Sequence, residues 1–567
     1  MKPTLLTALA ATFLTSQTQV SAQAQDKFTN PILYSDFPDN DISPGPDGAF
    51  YFLSSNFHYS PGAPLLRSHD LINWEWVGHT VPRLTFGNGY DLPPPTVNDD
   101  GTVTPGERAY RGGTWASSMR YRPSDGLWYW IGCTNFWNTW VYTAPAPEGP
   151  WEQVAWLGNE ECFYDNGLLV DDVPAAEGEE DTLYVVYTWS GQSVVNVTQL
   201  AADGKSIVRT ETVLTPADVG VDGLEGNRLY KINGTYYILN DHPGSTAYVW
   251  KSDSPWGPYE AKALADQVPG PVPGGGVPHQ GSLVEAAPGE WYFMSFTWAY
   301  PGGRLPVLAP VVWGEDGFPT LVTNTSAGGE GSWGVSYPLP LPSQPLNYTW
   351  TSNSYDFTAL SELPPAFEWN HNPDESSYAL SAEAGLTLST ATVTDDLYSA
   401  RNTLTHRAYG EFPAATAWLN ISQLADGDRA GLAVFRDRSS YIGVHKLPAD
   451  GNNTESRLEV VTWFNATIDE YGGATLDLGA VTDSVEIPVD TESVWFRVGM
   501  DARADGTHLA TFGYRVGVEE GGEFTALGGE YELYTGWAFF LGYRFALVNY
   551  ATQALGGSVD VLRFATE

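Results

Sequence analysis

The sequence predicts an all-β protein in which a five-bladed β-propeller is followed by a β-sandwich. Three observations carry that expectation. A Gly-x-aromatic-Tyr signature, relaxed in its third copy, recurs five times: GAFY ending at Tyr51, GLWY at Tyr129, DTLY at Tyr184, GTYY at Tyr237 and GEWY at Tyr292. Successive tyrosines are 78, 55, 53 and 55 residues apart. A second mark echoes the first, since Trp74-Glu75 follows Tyr51 by 23 residues, and Trp151-Glu152 and Tyr259-Glu260 follow Tyr129 and Tyr237 by 22. A repeat near 50 residues with aromatic marks and short strands is the sign of propeller blades. Third, the chain has 22 Trp, 31 Tyr and 24 Phe, abundant Gly and Pro, and no sustained helical period.

The elements follow in order. Residues 1–24 read as a secretory signal: Lys2, an apolar stretch through Leu14, then small residues around Ala22 and Ala24. Residues 25–335 hold the five signatures, each flanked by an apolar run such as YFLSS, YWIGCT or YYILND that reads as an alternating strand. Pattern fades from Gly317 to Asn347 through TNTSAGGEGSWG and YPLPLPSQPL, and 336–350 is assigned as a connector. Alternating runs without the signature then resume (GLAVFRD, YIGVHK, LEVVTWF, WFRVGMD), so 351–567 is expected to be a sandwich. The propeller face beneath it is expected to be apolar.

A net charge of −41 repels phosphate, which argues against nucleic-acid or anionic-membrane partners and leaves neutral polysaccharide as a compatible one. No later stretch is apolar enough to span a membrane. Secretion into the extracellular space fits the sequons at Asn196, Asn324, Asn347, Asn420, Asn452 and Asn465; a seventh, Asn233-Gly234, reads instead as a hairpin turn. The two cysteines, Cys133 and Cys162, allow either one disulfide or two free thiols.

Innermost propeller strands begin near a common axis, so equivalent positions converge. Counting twelve residues back from each signature tyrosine gives Asp39, Ser117, Glu225 and Gln280; blade three, after allowance for its PAAEGEE insert, gives Asp165. Three acids ringing one pocket are the equipment of glycoside hydrolysis, one donating a proton and another activating water. A third carboxylate can raise the donor's pKa by like-charge repulsion. Phe57, Trp115, Tyr164 and Trp298 are positioned to line that pocket and stack on sugar.

FTNPILYSDFPDNDIS, GTWASSMRY, YDNGLLVDD, EGNRLYKINGTYY and HQGSLVE resemble, in this order, the blades of glycoside hydrolase family 43, the five-bladed xylosidases and arabinofuranosidases. FEWNHNPD and TVTDDLYSARNTLTHR resemble the sandwich appended in many members. The resemblance implies that Asp39 is the general base, Asp165 the pKa modulator and orienter, and Glu225 the general acid. The family's base is usually followed by Pro, whereas Asn40 and a second acid, Asp41, follow here, so Asp41 is an alternative base. The family inverts the anomeric centre, which implies carboxyl groups about 6.5–9.5 Å apart. His279 matches an axial histidine that in some members helps hold calcium, although the chemistry requires no cofactor. Arg304 is expected to touch a sugar hydroxyl or brace a carboxylate. FPDNDIS, SNFHYSPGAP and CTNFW resemble the fungal branch that removes 1,3-linked arabinose from doubly substituted xylose of arabinoxylan. A monomeric α-L-arabinofuranosidase is therefore expected, with a β-xylosidase or a non-catalytic carbohydrate-binding protein as alternatives.

Overall fold

The structure, a computed structural model, describes residues 26–567 apart from 99, 101–102, 105, 159–161, 179, 190, 326–330, 347–349, 351 and 450–454. The expected signal segment and the sequons Asn347 and Asn452 lie outside the described residues.

Five four-stranded antiparallel sheets form the propeller, each with its strands in chain order. Their innermost strands are Asp41–Pro44, Ser117–Arg122, Tyr164–Asp171, Glu225–Ile232 and Gly281–Ala287. The signature tyrosines sit on the second strands and are all buried, at 2–8% exposure. These second strands are covered on both faces by neighbouring blades, so Phe50–Leu53 is buried at every residue rather than alternating. The aromatic marks are thus inter-blade packing; Tyr51, for example, meets Trp128 of blade two edge-on at 4.9 Å. Each buried ring of this kind is worth about 2–3 kcal/mol. Blade ends are joined by Lys27–Thr29, which pairs with Ser336–Pro338, the first residues assigned to the connector.

The C-terminal domain packs a nine-stranded sheet against an eight-stranded one around a core that includes Phe367, Trp369, Leu432, Phe496 and Phe545. The eighth strand of the second sheet comes from the propeller: Tyr59–Ser60 pairs with Trp369 and Asn370. The expected apolar joint is present, but it makes up only part of the contact. Beside an apolar cluster of Phe57, Tyr59 and Tyr110 with Phe539 and Leu541 lies a fully buried ionic cluster. In it Glu368 of the sandwich meets His79 of blade one at 2.8 Å and pairs with Arg407 and Arg544. Both arginines also donate to Asn56 of the propeller, at 2.7 and 2.9 Å.

Cys133 and Cys162 form a disulfide that ties the second strand of blade two to the segment entering blade three. Asn324 and Asn465 are exposed, and Asn420 is half-buried. Asn196 is a correction: it is 5% exposed inside blade three and accepts from Thr212 at 2.8 Å, so no glycan fits on it. Asn233 and Gly234 form the expected tight turn, with φ of 51° and 85°. Among the described residues no helix is long and apolar enough to cross a membrane.

Candidate active site

Strand register, rather than residue count, sets which positions of the blades are equivalent. Asp41, Ser118, Gly167, Arg228 and Ser282 pair with Leu53, Ile131, Val186, Leu239 and Met294, each two residues beyond a signature tyrosine. The positions two residues earlier are therefore Asp39, Ala116, Asp165, Gly226 and Gln280. The twelve-residue count misses by one in blade two, whose hairpin is a residue longer, and in blade four, whose hairpin is a residue shorter. Ser117 consequently points away, accepting from Trp130 Nε1 at 3.0 Å, and Ala116 takes its place at the mouth. Glu225 precedes its blade's equivalent position and reaches the site across a β-bulge between Glu225 and Arg228. The same bulge interrupts blade three between Tyr164 and Gly167. Asp39, Asp165 and Gly226 share a left-handed backbone, with φ of 59°, 48° and 69°, that turns the chain at the mouth.

These residues line a cavity of about 620 Å³. Asp39, Phe57, Trp115, Tyr164, Asp165, Glu225, Gln280, Trp298 and Arg304 all contribute to its wall. Arg304 Nη1 donates to Asp39 Oδ1 at 2.6 Å, and Ser55 Oγ donates to Oδ2 at 2.7 Å. Of the two roles expected for Arg304, the structure shows the carboxylate brace. Tyr164 donates its hydroxyl to Glu225 Oε2 at 3.1 Å, and Asp165 Oδ2 accepts from the Gly226 amide at 3.0 Å. A cavity of about 630 Å³ opens at the opposite end of the propeller axis, but its Asp172 and Asp181 are salt-bridged to Lys231 and Arg122.

Asp41 does not reach the cavity. It is fully buried one layer down the axis, held by Arg120 at 2.6 Å, Arg228 at 3.2 Å, Ser118 and the Met119 amide. Burial pushes its pKa up, but Arg120 and Arg228 outweigh that and hold it below the usual carboxylate range. Two residues of alternation separate Asp39 at the mouth from Asp41 in the axis, and this ion cluster removes Asp41 as an alternative base. His279 is also displaced. It lies buried behind Trp298, its Nδ1 2.7 Å from the Val277 carbonyl, and burial lowers its pKa to about 4. Among the described residues no group of three or more His, Cys, Asp or Glu side chains is arranged to hold a metal.

Four groups escaped sequence reasoning. Asp241 is fully buried as the cross-strand neighbour of Glu225, and neither carboxyl oxygen has a hydrogen-bond partner. Gly226 makes room for it, since a Cβ there would stand 2.1 Å from Asp241 Oδ1. Arg228 crosses the axis and donates to the carbonyls of Asp39, Asn40 and Asn166. In blade two, Asn135 and Phe136 of the CTNFW stretch form part of the cavity wall. The sandwich supplies Tyr471, Trp537 and Phe540, with Trp537 stacked on Trp298 at 5.6 Å and 9° and Phe540 on Phe57 at 5.8 Å.

The acids perturb one another. Glu225 is pushed above its ordinary pKa, first by burial and then by the charge of Asp39, against the Tyr164 hydrogen bond and Arg304. Asp165 is driven well above the usual range by burial and then by Glu225 and Asp39. Asp241 is driven well up by burial, Glu225 and Asp165. Burial thus leads for all three acids, and the like-charge repulsion expected of Asp165 is shared among Asp39, Asp165, Glu225 and Asp241.

A five-bladed propeller with carboxyl groups and aromatic walls converging at one mouth is the architecture of a glycoside hydrolase. The chain belongs to glycosyl hydrolases family 43: that family's sequence profile matches residues 28–319, and the profile of the β-xylosidase C-terminal concanavalin A-like domain matches 354–567. The β-xylosidase of Formosa agariphila is 27% identical over 74% of this chain and 75% of its own length. The non-reducing end α-L-arabinofuranosidase of Bacteroides ovatus is 28% identical over 74% of this chain and 75% of its own. A solved GH43 glycoside hydrolase, engineered at its active site to display both endo-xylanase and exo-arabinofuranosidase activity, matches with a TM-score of 0.84. It is 38% identical and covers 95% of this chain and 99% of its own. Membership makes this a hemicellulose-degrading hydrolase.

Proposed function

We propose that the protein is a secreted, inverting, non-reducing end α-L-arabinofuranosidase that removes 1,3-linked arabinose side chains from doubly substituted xylose of arabinoxylan. The observation that carries this reading is the difference between two carboxyl groups of one cavity. Asp39 is ion-paired to Arg304, whereas Glu225 has its pKa raised by burial. One is thereby suited to take a proton and the other to give one at the same pH. Water held by Asp39 attacks C1 of the arabinosyl unit and passes its proton to that carboxylate. The bond from C1 to the xylose oxygen breaks, and Glu225 delivers its proton to the departing oxygen. Tyr164 holds Glu225 Oε2, and Asp165 fixes the Gly226 backbone beside it. The choice of arabinose is supported by the 38% identity to an enzyme with exo-arabinofuranosidase activity.

NMR of wheat arabinoxylan during digestion tests the reading. Loss of the 1,3-linked anomeric signal from doubly substituted units, with β-arabinofuranose as the first product, is the expected result. Xylose release with shortening of the main chain identifies a β-xylosidase, the activity of the Formosa relative. Binding without turnover identifies a non-catalytic protein.

A further inference from the structure

Exposed aromatic rings are unevenly spread over this molecule. Among the described residues, the exposed aromatic side chains are Phe136, Trp137, Trp156, Phe412, Tyr471 and Trp537. Phe136, Tyr471 and Trp537 line the cavity, and Phe412 is covered by the Arg503 guanidinium at 4.3 Å. That leaves Trp137, 64% exposed, and Trp156, 50% exposed, outside it.

Both lie at the cavity end of blade two. Its first strand starts there at Ser117, which pairs with Gly132, so the hairpin after Thr134 turns at that end. The hairpin sends Asn135 and Phe136 into the cavity wall and places Trp137 next in the chain. Trp156 ends the outer strand at the same end, opposite Trp140. It is not a loose ring: Trp140 stacks on it at 6.1 Å and 26°, and Phe86 stacks on Trp140 at 5.5 Å. Its Nε1 donates to Asn138 Oδ1 at 3.0 Å, which fixes the plane of the ring. A braced indole presented to water beside a site is an interaction surface rather than packing.

We propose that Trp137 and Trp156 form a secondary carbohydrate-binding surface that holds the xylan main chain outside the cavity. The inference rests on the arabinoxylan reading above. The occupant is a neutral sugar polymer because the surface continues the cavity wall through Phe136, because flat apolar rings match the C–H faces of pyranoses, and because a net charge of −41 repels polyanions.

The test uses the full-length protein with W137A, W156A and the double variant. For soluble arabinoxylan the double variant should raise KM about tenfold with kcat unchanged, the mark of lost uniform binding. For 4-nitrophenyl α-L-arabinofuranoside, which is too small to reach the surface, kcat/KM should stay within about twofold. In native gels containing arabinoxylan, retardation of the protein should fall in the double variant. An unchanged KM for the polymer with unchanged retardation overturns the proposal, as does an equal loss on the aryl substrate. If the unsubstituted protein releases no arabinose but is retarded through these two rings, the arabinofuranosidase reading fails and the surface stands.

Discussion

Because Tyr471, Trp537 and Phe540 complete the cavity from the sandwich, the joint between domains is part of the active-site scaffold, and Glu368→Gln is the sharpest way to disturb it. Glu368 is 0% exposed, and its two guanidinium partners, Arg407 and Arg544, are each 1% exposed. Removing the negative charge while keeping the shape leaves two buried cations without a counter-charge. Breaking a buried ion pair in this way costs about 3–5 kcal/mol. For a domain of the sandwich's size, about 2–4 °C is lost per kcal/mol, so the transition reporting on the sandwich should fall by about 6–20 °C. pH supplies a second readout with a definite sign. Burial raises the Glu368 pKa, but Arg407, Arg544 and His79 outweigh it and the net is far below the ordinary range. A depressed carboxyl pKa gives stability that is complete above the unfolded value, about 4.3 for glutamate, and is lost as pH falls below it toward the folded value. The variant lacks that increment throughout, so the gap between the two proteins should be widest near neutrality and should narrow below about pH 4. Differential scanning calorimetry across that range is the assay. A variant within about 2 °C of the parent at pH 7, or a gap that widens in acid, refutes the account of the joint.

Glu225→Ala should abolish arabinose release from arabinoxylan yet partly spare an aryl glycoside, whose leaving group needs no proton; a general acid is worth about 10²–10⁴ in rate. Equal loss on both substrates removes Glu225 from that role. Asp241→Asn mimics a carboxyl kept neutral by its raised pKa, so the alkaline limb of the kcat/KM profile should stay in place; a clear downward move shows that Asp241 is ionised in the working enzyme. Opening the Cys133–Cys162 bridge, which spans 29 residues, should cost about 3–4 kcal/mol on the chain-entropy account. Calorimetry of Cys133→Ser/Cys162→Ser checks it, and a transition temperature equal to the parent's contradicts it.

The fold was legible because its repeat is written in residues that packing demands. Each signature tyrosine fills the space between two blades, and a blade without one leaves a void that neighbours cannot close. The acids were legible for a less secure reason. Residue counting assumes hairpins of one length, and that assumption fails by one in blades two and four. It still found Asp39 and Asp165 because blade one sets the count and the allowance for the blade-three insert was right. It found Glu225 because a shorter hairpin and a bulge bring the preceding residue to the mouth. The same counting produced Ser117, which the register turns away. The sandwich's share of the cavity had no local mark. Tyr471, Trp537 and Phe540 lie in loops whose sequence carries no period, and their role follows only from how the two domains meet. Asp241 was hidden for the opposite reason: YYILND reads as ordinary strand, and nothing in a strand pattern shows that an acid faces another acid across the ladder.

Charge arithmetic around the axis explains why the cavity chemistry sits at this mouth. Five carboxyl groups, Asp39, Asp41, Asp165, Glu225 and Asp241, share the axis with three arginines, Arg120, Arg228 and Arg304. Arg120 and Arg228 hold Asp41 in the deeper layer, and Arg304 takes Asp39. Asp165, Glu225 and Asp241 then have no cation of their own in a buried space, and charging all three at once is opposed by both desolvation and mutual repulsion. A protonated acid beside the scissile bond is therefore a property of the whole cluster rather than of one modulating residue. It follows that Arg228→Met, which withdraws a cation lying outside the cavity although it also releases the Asp39 carbonyl, should push protons into the cluster and move the alkaline limb of kcat/KM upward. A limb that stays in place, in a variant whose calorimetric transition shows it folded, would mean that Glu225 holds its proton through burial alone.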